Sequence, residues 1–141
     1  MIPDLVAQLN RDEGRKRSAY QDHLGYWTIG VGRMIDERKG GGLRDDEIEY
    51  LLRNDINDRI NALHNTLPWF QNLDDARKGV LLNMAFQLGT NGLLGFKNTL
   101  AKIASGDYSE AAKMMLQSTW ATQTPGRAQR LSKQMETGSW Q

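Results

Sequence analysis

With 141 residues, 39% of them hydrophobic and 25% charged, the chain can build one domain with its own core and is too short for two independent domains, although two lobes sharing a helix remain possible. The absence of cysteine excludes a disulfide framework and thiolate catalysis, and the two histidines, His23 and His64, show no metal-ligand spacing. A net charge of +1 spread along the chain argues against nucleic acid, no run approaches the roughly 20 apolar residues that span a bilayer, and no cofactor is implied.

Leu5, Val6 and Leu9 predict a short amphipathic helix, with Pro3 tolerated in its first turn and Gly14 as its stop, so that Glu13 stands at its C-terminal end. Ala19-Tyr20 and Trp27-Thr28-Ile29-Gly30-Val31-Gly32 predict two short strands around a tight turn at Gly25. The basic run Arg15-Lys16-Arg17 reads as a solvated face, and Gly40-Gly41-Gly42 as a flexible loop inside the domain. Asp45-Asp46 then open a helix whose apolar residues Ile48, Leu51, Leu52, Ile56, Ile60 and Leu63 recur at three- and four-residue steps.

After Pro68-Trp69-Phe70, a helix led by Asp74-Asp75 runs through Val80, Leu81, Met84 and Leu88 to a stop at Gly89. Phe86 shares that apolar series, which favours core packing for most of its ring. Further helices are predicted over residues 96–104, 108–116 after Asp107, and 126–135 after Thr124-Pro125. Met114, Met115, Trp120 and Leu131 read as core filler rather than a cofactor box. The fold class is therefore α+β, mainly α.

Glu13 and Asp22 stand nine positions apart around a turn rich in Gly, Tyr and Thr. Two carboxyls in different environments are what glycosidic hydrolysis needs, one protonated to donate to the leaving oxygen and one ionised to act on water or sugar. The helix dipole and any apolar cover would favour the acid form of Glu13, while a turn Asp in water stays ionised. Thr28 offers a hydroxyl able to donate and accept beside Asp22. Spacing alone is weak evidence, because charged helix ends and turn aspartates are ordinary surface in a chain with 17 acidic residues. His23 likewise reads as a solvated turn residue.

Glu13-Gly14, Tyr20, Asp22, Gly25-Tyr26 and Thr28-Ile29-Gly30-Val31-Gly32 resemble the signature of the phage-type lysozymes, glycoside hydrolase family 24. Asn83-Met84-Ala85-Phe86-Gln87-Leu88-Gly89, with Gly92 and Gly95-Phe96-Lys97-Asn98-Thr99-Leu100, resembles the family's central helix and the turn after it. Ser118-Thr119-Trp120, Gln123-Thr124-Pro125-Gly126-Arg127-Ala128 and Thr137-Gly138-Ser139-Trp140 resemble its C-terminal part. Three blocks in order over nearly the whole chain make the match specific.

The resemblance implies a single lysozyme-like, two-lobed domain over 1–141: a small β-hairpin lobe at about 14–50, a long connecting helix, and a helical lobe of about 51–141 together with the N-terminal helix 1–13. It implies a bacteriolytic endolysin, a muramidase cutting the β-1,4 bond between N-acetylmuramic acid and N-acetylglucosamine in peptidoglycan. Glu13 becomes the proton donor, Asp22 the carboxylate handling the attacking water, and Thr28 the third member of the site. Inversion calls for carboxyls about 6.5 to 9.5 Å apart. Arg127 becomes the ion-pair partner of Glu13, which would oppose the dipole by favouring the ionised form. Met34, Phe86 and Thr99 become substrate-binding residues. The stretch between Gly32 and Asp45 is shorter than the family's, so the small lobe is trimmed, which bears on the cleft contacts made from this side, Met34 included, and leaves Glu13, Asp22 and Thr28 untouched. Met114 falls where the family is polar and carries no binding role.

Met1-Ile2-Pro3-Asp4 has neither a basic n-region nor an apolar segment, which for an enzyme acting on the wall predicts a chain held in the host cytoplasm until a separate membrane pore protein lets it reach the periplasm and wall; a monomer is expected. Two alternatives stand beside the muramidase. A lytic transglycosylase would cut the same bond with one essential Glu and leave an anhydro end, and a non-catalytic peptidoglycan-binding module would keep the fold without the chemistry. A bland helical interaction domain explains the core pattern but not the Glu13/Asp22/Thr28 block.

Overall fold

The computed structural model describes residues 1–35 and 42–141, so Gly40-Gly41 of the expected loop lie outside the described residues. It is mainly helical with one small antiparallel sheet, as the sequence predicts. The chain divides into two compact units, Met1–Leu51 and Leu52–Gln141.

The first unit starts with α1 (Ile2–Glu13), Pro3 in its first turn. It stops at Gly14, whose φ of 75° breaks the helix while its N–H returns to Asn10 O at 3.1 Å. The N-terminal helix thus falls in this unit, whereas the sequence reading groups it with the helical lobe. Three strands follow in the order β1-β2-β3: β1 (Lys16–Gln21), β2 (Trp27–Gly30) and β3 (Arg33–Met34). Thr28 is the middle of a cross-strand row, paired with Tyr20 on one side and Met34 on the other. The sequence pattern contains no β3, because a two-residue strand is too short to alternate. Its place is set by the Gly30-Val31-Gly32 turn, where both glycines hold φ 68°. The segment after β3 is tied back by Gly42 N–H to Met34 O at 2.6 Å. Arg33 donates to Gly42 O and, at 3.2 Å, to Glu47 Oε2.

The connecting helix α2 (Asp45–Thr66) begins in this unit, acidic in its first turn as the helix dipole favours. Glu47 Oε1 accepts the Arg44 N–H at 2.9 Å, the reciprocal half of a capping box. Of the apolar series expected on α2, Leu63 is buried, while Ile48, Leu51, Leu52 and Ile56 keep 36–50% of their surface exposed. Among the described residues of the first unit only Thr28 is buried.

The core lies in the second unit, in α3 (Asp75–Leu88), α4 (Thr90–Leu94), α5 (Lys97–Ala104), α6 (Tyr108–Leu116), α7 (Thr119–Gln123) and α8 (Pro125–Thr137), with a 3-10 turn at Phe70–Asn72. The five-residue α4 and α7 escape a periodicity reading because they complete little more than one turn. Phe70, Leu81, Met84, Ile103, Met115 and Met135 are essentially inaccessible, and burying each such side chain contributes about 1.5–3 kcal/mol. Trp120 and Leu131 join them as expected, with Trp120 edge-on to Phe96. Met114 is only half-buried. Phe86 departs from the core reading: its ring is 44% exposed, because Met84 and Ala85 take the inward face of this turn of α3.

Arg77 binds distant pieces of this unit together. Its guanidinium donates to Met135 O at 2.7 Å, Glu136 O at 2.9 Å and Asp74 Oδ1 at 3.0 Å, and lies 3.8 Å over the Tyr108 ring. Two carbonyls of the last turn of α8, which have no helical partner, are thereby satisfied. Arg77→Met keeps the stem and leaves those acceptors without their donor, so stability should fall by about 3 kcal/mol, seen as a lower urea midpoint at an unchanged m value.

Asp74 caps α3, its carboxylate accepting the Arg77 N–H at 3.1 Å. Burial pushes this carboxyl up, but the Arg77 amide and then its guanidinium outweigh burial and hold it below the usual range. A depressed carboxyl stabilises above its unfolded value and loses that contribution as pH falls through the folded one. Asp74→Ala should therefore cost about 1 kcal/mol at neutral pH, and thermal melts should show the gap to wild type closing below about pH 4.

Candidate active site

Glu13 closes α1, and its carboxyl lies against the β2–β3 turn. A β-carbon at Gly32 would come within 3.0 Å of Glu13 Oε2 and 3.1 Å of its Cδ. Gly32 also holds a positive φ that strains other residues, so the backbone requires glycine there, and a β-carbon would in addition press on the end of the Glu13 side chain. Glu13 itself is exposed.

Asp22 opens the turn between β1 and β2. Its Oδ1 accepts the N–H groups of Leu24 and Tyr26, both at 2.9 Å. The backbone closes the same turn through Asp22 N–H to Tyr26 O at 2.8 Å and Gly25 N–H to Asp22 O at 2.9 Å, with Gly25 at φ 85°. Asp at the first position and Gly at the fourth are the residues this geometry selects. Asp22 is half-buried rather than freely solvated, a consequence of its carboxylate folding back over the turn.

Thr28 is 2% exposed, and its hydroxyl donates to Tyr26 O at 3.1 Å. The Tyr26 backbone thus serves both side chains, its N–H bound to Asp22 and its C=O to Thr28. Tyr26 and Gly32 stand in the signature block read from the sequence, but without a role of their own. The Gly-x-Gly spacing directly after Thr28 was the available signal for Gly32. Met34 sits half-buried beside Thr28 in the sheet.

In the second unit, Arg127 donates from Nε to Asn83 Oδ1 at 2.8 Å and from Nη2 to Asn83 O at 3.2 Å. Asn83 stands one helical turn before Phe86 on α3, and the sequence reading gave it no role. Arg127 and Phe86 line one groove of this unit with Asn83, Leu52, Ile56 and Trp140. Thr99 is buried in α5 and lines a different hollow with Asn98, Met114, Gln117 and Ser118. The structure therefore joins Asp22, Thr28 and Met34 in one unit and Phe86 with Arg127 in the other, and sets Thr99 apart from that pair.

Among the described residues, no group of three or more His, Cys, Asp or Glu could hold a metal ion, and no helix is long and apolar enough to cross a membrane.

The phage lysozyme family model matches residues 10–135. Probable T4-type lysozyme 1 of Dictyostelium discoideum is 34% identical over 99% of this chain and 97% of its own length. That alignment runs to 165 positions, so the relative carries residues this 141-residue chain lacks. The endolysin of Acyrthosiphon pisum secondary endosymbiont phage 1 is 34% identical over 74% of this chain and 69% of its own. The pre-baseplate central spike protein Gp5 of Enterobacteria phage T4 is 29% identical over 96% of this chain but only 28% of its own length.

Proposed function

Because the chain belongs to the phage lysozyme family and is thereby a glycoside hydrolase, we propose that it is a muramidase that hydrolyses the β-1,4 bond between N-acetylmuramic acid and N-acetylglucosamine by inversion. Glu13 protonates the leaving oxygen, and Asp22 takes a proton from the water that attacks the anomeric carbon. The observation that carries this reading is the shared Tyr26 backbone, which ties Asp22 and Thr28 together.

The turn engages Asp22 through Oδ1, so Oδ2 is the oxygen left to act as base. The Thr28 proton is committed to Tyr26 O, so toward a water its hydroxyl acts as an acceptor. A water giving one hydrogen to Asp22 Oδ2 and the other to Thr28 Oγ1 presents its lone pair to the sugar. Met34, Phe86, Thr99 and Arg127 carry the roles that family resemblance implies for them.

The proposal extends to a monomer that reaches the wall through a separate membrane pore protein, in keeping with a chain in which no described helix can span a bilayer. Unaided insertion into inner-membrane vesicles would overturn that part.

The bond and the mechanism are tested by digesting purified peptidoglycan in ¹⁸O-labelled water. Hydrolysis gives a reducing muramic acid end carrying one labelled oxygen, and proton NMR during the reaction shows the inverted anomer first. An unlabelled anhydro end would assign the chain to lytic transglycosylases instead.

A further inference from the structure

The turn on which the Glu13 carboxyl rests is held by backbone bonds without an apolar core beneath it. β3 is two residues long, and no buried apolar residue is described in this unit. A strand that short does not fix its own place. To the backbone bonds that pair β3 with β2, the residue after Gly32 adds a side-chain restraint from further along the chain. Arg33 reaches two separate chain segments at once, donating to Gly42 O and to Glu47 Oε2 at 3.2 Å. Glu47 turns its other oxygen to the Arg44 N–H at 2.9 Å, in the first turn of α2. Both side chains are partly shielded, 38% exposed for Arg33 and 28% for Glu47.

We propose that Arg33 and Glu47 are a positioning pair that locks β3 to the start of α2 and so fixes Gly32 and the Glu13 carboxyl packed on it. The role rests on the reading of Glu13 as the proton donor. A half-exposed ion pair contributes little to stability, and its importance here is geometric. Displacement of a reacting group by about 1 Å can cost on the order of a hundredfold in rate.

The test compares Arg33→Met and Glu47→Gln with wild type in the full chain, reading kcat and KM on peptidoglycan and the ¹³C resonance of the Glu13 carboxyl. Ser132→Ala serves as a control for simple loss of stability, since the Ser132 hydroxyl donates to Ala112 O in the other unit. In Arg33→Met, kcat should fall roughly ten- to a hundredfold at nearly constant KM, with the Glu13 resonance displaced. Ser132→Ala should lower the melting temperature and move neither. A folded Arg33→Met protein with wild-type kcat, or with reduced kcat and an unmoved resonance, overturns the pairing role. Should Arg33→Met fail to fold, Glu47→Gln leaves the bond to Gly42 O in place and must show the same fall and displacement, or the role is overturned. A wild type without turnover would sink the donor reading, and an unmoved resonance in Arg33→Met would still sink the pair on its own.

Discussion

Glu13→Gln should fold as wild type does and turn over peptidoglycan about three orders of magnitude more slowly. The amide is nearly isosteric, so it can occupy the same space against Gly32 without disturbing the turn. Its N–H groups are far too weakly acidic to protonate a leaving alkoxide, and general acid catalysis is worth roughly 10²–10⁴ in rate. The substitution also removes a negative charge from the C-terminal end of α1, where the dipole disfavours it. Stability should therefore hold or rise by up to about 1 kcal/mol. Turbidity loss of chloroform-treated Gram-negative cells reads the activity and a thermal melt reads the fold. A Glu13→Gln protein with wild-type turnover would end the donor assignment.

Asp22→Asn should produce a loss of roughly 10²–10⁴ by a different route. Asparagine can keep its Oδ1 where Leu24 and Tyr26 donate, so the turn and the Thr28 hydroxyl should stay in place. What disappears is the basic second oxygen. Circular dichroism should be superimposable on wild type while hydrolysis falls, and KM should change little because the substrate is held elsewhere. Full activity in this variant would reduce Asp22 to a turn residue and favour the route in which the sugar's own hydroxyl replaces water.

The helices of the second unit were legible wherever an apolar period ran for two turns and a cap marked the start. Asp74, Asp107 and Gly89 are the residues that signalled those ends, and each does so in the structure. Glu13 at a helix terminus and Asp22 at a turn were also legible, since Gly14 and Gly25 announce the breaks. What lay out of reach was long-range. Phe86 fits the apolar period of α3 as well as Met84 does, and only the packing of neighbouring helices decides which of them turns inward. The bed that Gly32 offers Glu13 joins residues 19 positions apart, and no local pattern encodes such a meeting. The connection of Arg33 to Glu47 is hidden for the same reason.

The clamp that Arg77 makes on Met135 and Glu136 has a bearing on how the protein is made. Those two carbonyls lie 58 and 59 positions after Arg77 in the sequence, beside the buried Leu131 and Met135. Until α8 has emerged from the ribosome, a nascent chain carries the guanidinium without its acceptors and a core missing one wall. The helical unit therefore completes its packing only once α8 is made, while the hairpin bearing Asp22, made of neighbours in sequence, is free to close long before.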